Sequence, residues 1–318
     1  MLHKVILSLR PLGFLVTVLF VSILVSSSGV AETPSSIFLE ERLIFTGSTT
    51  LSNLVTYWGE AFSAHNPGVR ITIADPGSAV GMEALLHGTA HAVLISTHLS
   101  WKQQDRFINR FGYLPTLIPV AMDGVAIYVN TLNPLPSITL KQLDAIFSAT
   151  RRCGARQPLR MWKELGLKGS LGNKSITPVG LTVDSGSHQV FRHVALCDGD
   201  FRPDYHALIG PAAVEALLAS DSAAIGFSSS TQRSAAIRSI PIAPRPGEPA
   251  IAPTPADIRS GRYPMRRTLA IALNQPTGRT PALAMQAFLD FVRSAEGQAL
   301  ASRAGYVSLP VSNTGSLK

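Results

Sequence analysis

Short apolar runs alternating with amphipathic helical patterns predict an α/β chain built on parallel strands. Three observations carry that prediction. Strand-sized runs such as Leu43-Ile44-Phe45 and Val93-Leu94-Ile95 are separated by segments of helical periodicity, the layout of parallel layers rather than a sandwich. Hydroxyl residues stand beside glycine at three places where a helix is due to begin: Gly47-Ser48-Thr49-Thr50, Gly77-Ser78-Ala79-Val80-Gly81 and Asp184-Ser185-Gly186-Ser187. Late in the chain, a Pro-rich stretch from Pro241 to Pro264 interrupts the alternation and reads as a return crossover between two halves.

The elements follow in order. Leu43-Ile44-Phe45 reads as a buried strand, and Leu51, Leu54, Val55, Trp58 and Phe62 then recur at helical spacing until Asn66-Pro67-Gly68 ends them. Arg70 to Ala74 is a second strand, followed by a helix from Val80 to Leu86. Val93 to Ile95 is a third strand, and Ser100 caps a helix running to Phe111. Two strands are expected next, Thr116 to Ala121 and Val125 to Asn130, before Asn133-Pro134-Leu135-Pro136. Thr139 caps a helix to Phe147, and Thr150 to Pro158 is a basic loop. A strand at Ile176 to Leu181, helices at Ser187 to Leu196 and Ala212 to Leu218, and a strand at Ala224 to Phe227 precede the Pro-rich stretch. Beyond it lie a strand, Thr268 to Leu273, and helices over Ala284 to Val292 and Glu296 to Ala304.

The three turns carry the chemistry. A helix N-terminus leaves backbone N–H groups unpaired and partly positive, so it attracts anions. Ser and Thr add O–H donors, and Gly admits close approach to the backbone. Ordinary capping accounts for one such turn. Three of them, divided between two halves, predict a cleft closing on a small oxyanion.

With 318 residues and 46% hydrophobic composition, the chain has room for two domains and a normal core. Lys4 and Arg10 precede an apolar run from Leu12 to Val25 and the small residues of Gly29-Val30-Ala31, which predicts a secretory signal over 1–31 cleaved after Ala31 and a periplasmic address. Losing Lys4 and Arg10 lowers the formal net charge of +8 to +6, compatible with anionic ligands. The arginines, Arg267 among them, are spread as on a solvated face, with no basic stripe interleaved with aromatics, so nucleic acid is not an expected partner. Cys153 and Cys197 either form one bridge or stay two buried thiols.

No metal-ligand spacing and no intact phosphate loop occur, because Asn173 interrupts the Gly172 to Lys174 pair; neither metal nor cofactor is expected. Asp184, Ser185, Ser187 and His188 include the residue types of a hydrolase or phosphatase triad. Neighbours in sequence rarely meet that geometry, however, and there is no G-x-S-x-G elbow. A non-enzyme is expected.

Order and spacing of several further pieces resemble the PstS-like phosphate-binding proteins of the type II periplasmic binding protein family. They are Thr46 to Leu51 with Trp58, Pro67-Gly68-Val69, Gly77-Ser78 with Gly81, and Val120-Ala121-Met122-Asp123-Gly124. Asn130 with Asn133-Pro134, Ile146-Phe147-Ser148, Ser185-Gly186-Ser187, Ala224 to Phe227, Tyr263-Pro264 with Arg266, and Glu296-Gly297-Gln298 complete the set. The resemblance implies two lobes around a ligand cleft, 43–117 with 245–318 and 118–244, and a monomer that hands its ligand to an inner-membrane ABC permease.

It also implies phosphate contacts from Thr49, Thr50, the Leu51 N–H and Ser78 on one lobe, and from Ser185, Gly186 and Ser187 on the other. Two charged positions of the family are altered. Its phosphate-binding arginine falls on Leu181, and a carboxylate that accepts the ligand's proton falls on Ser96. The related Asp–Arg pattern falls on His91 and Thr97. His188 is a further candidate contact, opposed by the positive end of its helix. The altered positions leave open a binding fold turned to signalling or envelope interaction, with a degenerate anion site.

Overall fold

The computed structural model describes residues 41–310; the signal segment and its cleavage point lie outside them. The chain opens with β1 (Glu41–Gly47), α1 (Thr49–His65), β2 (Val69–Ala74), α2 (Ser78–His87), β3 (Ala92–Ile95) and α3 (Trp101–Phe111). Next come β4 (Thr116–Asn130), β5 (Ile138–Thr139), α4 (Leu140–Phe147), a 3-10 turn at Trp162–Leu165 and the single turn α5 (Gly169–Gly172). The middle of the chain holds β6 (Thr177–Leu181), α6 (Gly186–Leu196), β7 (His206–Leu208), α7 (Pro211–Ser220) and β8 (Ala224–Ser229). It closes with β9 (Ile237–Ile240), β10 (Ile242–Ala243), α8 (Pro255–Ser260), β11 (Arg266–Leu273), α9 (Leu283–Arg293) and α10 (Ala295–Arg303).

A nine-stranded sheet runs β2-β1-β3-β11-β4-β8-β6-β7, with β9 also paired to β4. β1 is parallel to β2 and β3, and β6 is parallel to β7 and β8. Between these parallel groups β11 and β4 run antiparallel to their neighbours. β5 and β10 form a separate two-stranded pair.

One expectation is corrected here. The two strands expected over 116–121 and 125–130 are a single strand, β4. Asp123-Gly124 makes no turn, because β11 pairs with Thr116 to Gly124 and β8 takes over from Val125 without a gap. Pro119 has no N–H to give, and the ladder absorbs it as a register shift between Leu269 and Ala270. The short strands β7 and β9 and helix α8 had no expectation attached; each is too brief to show periodicity.

The two larger of three apolar cores among the described residues lie on either side of that crossing. One gathers Phe45, Leu51, Leu54, Val55 and Trp58 with Val120, Leu269, Ile271 and Phe288. The stripe of α1 faces inward, and Trp58 Nε1 donates to Gly297 O at 2.7 Å, so the indole is buried with its polar atom satisfied. The other core gathers Val125, Ile127, Phe147, Trp162, Phe191 and Phe227, and also takes Ile258, Tyr263 and Met265 from the Pro-rich return. Burying an aromatic side chain of this size contributes about 2–3 kcal/mol, so each core is a substantial unit.

Ser100 and Thr139 cap α3 and α4 as expected, each in a reciprocal box with Gln103 and Gln142. Cys153 and Cys197 are bridged, with Cα atoms 5.2 Å apart, which ties the basic loop to the C-terminal end of α6. Among the described residues no helix is long and apolar enough to cross a membrane.

Candidate anion-binding site

The three hydroxyl turns meet. β1 ends at Gly47, and Ser48 after it caps α1 by accepting from Thr50 N at 3.1 Å. Gly77 N donates to Gly47 O at 2.8 Å, and Ser48 N donates to Leu94 O at 2.9 Å, so the first two turns and the end of β3 are stitched together. The third turn arrives from the other core. A Cβ on Gly77 would stand 2.6 Å from Asp184 O, and one on Gly186 would collide with Ser96 Oγ. Gly77 also sits at φ 104°, a conformation that favours glycine. These two glycines let the halves close onto one another with their helix N-termini converging.

The hydroxyls divide into those spent on structure and those with a proton to give. Ser78 Oγ donates to Leu94 O and accepts from Ser96 N, both at 3.3 Å, and Ser185 Oγ accepts from Ser187 N at 3.2 Å as the cap of α6. Ser48 Oγ donates to Ser96 Oγ at 2.7 Å, so the oxygen of Ser96 is occupied as an acceptor and its own proton points elsewhere. Thr50 Oγ1 likewise accepts, from Arg267 Nη2 at 3.3 Å. Ser187 is wholly buried and its Oγ has no hydrogen-bond partner, which for a buried hydroxyl costs about 1–3 kcal/mol. The Leu51 N–H donates to Ser48 O at 3.1 Å, and Thr49 opens the helix.

The charge under the turns is an ion pair that motif reading missed. Arg267, counted in the sequence among solvated arginines, is 5% exposed, and Asp123 is wholly buried. Arg267 Nε meets Asp123 Oδ1 at 2.5 Å and Nη2 meets Oδ2 at 2.9 Å, a bidentate match of fork to carboxylate. Ser229 Oγ from β8 donates to the same Oδ2 at 2.8 Å. Arg267 Nη1 continues to Ser96 O at 3.1 Å. The signal available in the sequence was a lone carboxylate inside the apolar run Val120 to Val129, which demands a partner when buried.

His188 turns away from this cluster. Its Nδ1 lies 2.8 Å from Leu181 O, and its ring packs 4.4 Å from that of Phe201 within the second core. Burial holds its pKa below the usual histidine range, more strongly than the Leu181 hydrogen bond raises it, so the ring is neutral at pH 7. Leu181 itself is 3% exposed, and its carbonyl also accepts from Tyr205 Oη at 2.7 Å. Its side chain belongs to the core.

The α/β sheet and the three helix N-termini that converge between its two cores define a two-lobe fold with a cleft. Residues 31–296 match the PBP superfamily domain. The chain is 34% identical over 284 residues to the phosphate-binding protein PstS of Pseudomonas aeruginosa, spanning 89% of this chain and 85% of that one. Among solved structures, one from Clostridium perfringens assigned as a phosphate ABC transporter substrate-binding protein, with phosphate bound, superposes with a TM-score of 0.71. That match is 20% identical and covers 85% of this chain and all of the other. An ABC-type phosphate transport receptor from Vibrio cholerae gives 0.66 at 21% identity, covering 84% and 100%. The fold is that of the type II periplasmic binding proteins, and the chain belongs to the PBP superfamily, in its PstS-like branch.

Proposed function

We propose that this protein is a non-enzymatic periplasmic receptor that captures an inorganic tetrahedral oxyanion, phosphate first, and delivers it to an inner-membrane ABC permease. Export with cleavage after Ala31, a monomeric state and lobes at 43–117 with 245–318 and at 118–244 belong to this reading. Relatives named for phosphate binding support it, and so does the geometry. The observation that carries it is Ser187: a buried hydroxyl without a partner, at a helix N-terminus pressed against the turns of the opposite core. Thr50, Ser96 and Ser187 supply hydroxyl donors, and the first turns of α1, α2 and α6 supply peptide dipoles. Thr49, Leu51, Ser78, Ser185 and Gly186 shape those turns.

Hydrogen bonds to a charged ligand contribute about 1.5–3 kcal/mol each, enough for binding without an arginine at Leu181. Capture draws the halves together because only the closed form engages both. Selectivity is a separate matter. Both oxygens of Asp123 are engaged by Arg267, and among the described residues no other carboxylate bonds to the hydroxyls of Thr50, Ser96 or Ser187, so nothing at these donors favours a protonated oxyanion over sulfate. Calorimetry with inorganic phosphate, sulfate and short phosphate esters is expected to show phosphate and sulfate within about ten-fold of each other, about 1.4 kcal/mol. Absence of binding by all of them would overturn the assignment.

A second reading, a receptor fold serving signalling or envelope interaction, is favoured by the loss of charge at Leu181. A thermal-stability curve that stays flat across all the oxyanions would select it. A hydrolase has less support, because Ser187 Oγ makes no hydrogen bond to His188, whose Nδ1 is engaged by Leu181 O.

A further inference from the structure

A buried ion pair is an expensive way to join two strands, since an apolar pair of similar volume would do it as well or better. What Arg267 does with its other donors is therefore informative. Nε and one N–H of Nη2 satisfy Asp123, which cancels the charge of the guanidinium. The other two engaged N–H groups go to Ser96 O and to Thr50 Oγ1. Thr50 is thereby fixed at three atoms by three parts of the chain. Its N–H is held by the Ser48 hydroxyl, its carbonyl by the Tyr306 hydroxyl and its side-chain oxygen by Arg267. A hydroxyl oxygen that accepts from a guanidinium turns its own proton away, and the polarised bond makes it a better donor.

Resting on the oxyanion reading above, we infer that Arg267 is a positioning residue for the ligand. Neutralised by Asp123, it is not the counter-ion of the bound anion. It holds the Thr50 hydroxyl with its proton presented to the ligand, and it fixes the end of β3 so that Ser96 stays beside Gly186. The network also reaches the second core, because Ser229 of β8 holds Asp123. A neutral pair that orients donors replaces the charge which the family's pattern supplies at Leu181 and Thr97.

The test is a double-mutant cycle read by calorimetry with inorganic phosphate on the full mature chain: wild type, T50V, R267Q and the double variant, with R267K as the conservative control. T50V is expected to weaken phosphate binding about ten-fold, and R267Q by a similar factor, with partial recovery in R267K. In the T50V background R267Q is expected to cost less than about three-fold, because of the two donors it positions only Ser96 is left. Additive losses, or T50V binding like wild type, would overturn the inference while leaving the oxyanion reading intact. Wild type that binds no oxyanion would remove the oxyanion reading, and with it this inference. R267Q leaves Asp123 unpaired, so D123N/R267Q takes its place in the cycle if R267Q fails to fold. T50V in the native background tests the hydroxyl itself without altering the pair.

Discussion

Ser187 sits at the balance between stability and binding. Its unpartnered hydroxyl burdens the fold, and in the proposed function an arriving acceptor satisfies it. Ser187→Ala is therefore expected to lower oxyanion affinity by about ten-fold or more while raising unliganded stability by up to ~1 kcal/mol. Calorimetry and denaturant unfolding of the same samples check both signs. His188 shows the opposite economy, a titratable group kept neutral by burial. Its folded pKa is depressed, so its contribution to stability is complete above the unfolded value of about 6.5 and is lost as pH falls from there towards the folded value. Unfolding midpoints measured from pH 8 down to 5 should fall more steeply in wild type than in His188→Phe. That variant keeps an aromatic ring against Phe201 and leaves Leu181 O to Tyr205.

At the scale of elements, α6 is held at both ends for different purposes. Its N-terminus carries Ser185, Gly186 and Ser187, and its C-terminus is Cys197, bridged to Cys153 across a separation of 44 residues. By the chain-entropy model such a closure contributes roughly 4 kcal/mol through the unfolded state. C153S/C197S is expected to melt about ten degrees lower by scanning calorimetry, with phosphate affinity changed less than three-fold, because the N-terminal turn is fixed by Ser185 and β6 rather than by the bridge. A large loss of affinity would mean that the loop over α6 helps to shape the site. β4 is the other element with two roles, since one uninterrupted strand belongs to both cores and carries Asp123 where they meet.

For the whole molecule the relevant property is closure. Gly77 and Gly186 are two points where the hydroxyl turns of the two halves touch, and neither position has room for a side chain. Gly186→Ala is expected to keep its fold and lose the compact bound form. Phosphate at a hundred times the wild-type Kd should stabilise wild type by about 2.7 kcal/mol and leave the variant's melting point unmoved. Small-angle scattering should show contraction on adding phosphate in wild type alone. Contraction in both would place the ligand elsewhere than between these turns.

Much of this molecule was legible before its structure. Alternating periodicities give the parallel layers, capping residues fix the starts of α3 and α4, and hydroxyl–glycine turns mark the starts of α1, α2 and α6, because all are local patterns of backbone and side-chain chemistry. The continuity of β4 was not, since a strand's partners come from distant segments and Asp123-Gly124 looks like a turn when read alone. Nor was the pairing of Asp123 with Arg267, 144 residues apart. Sequence by itself determined which groups can donate to an anion. Tertiary structure decided which of those protons remain free, because that depends on who occupies each oxygen's lone pairs, and those neighbours are assembled only when the sheet forms.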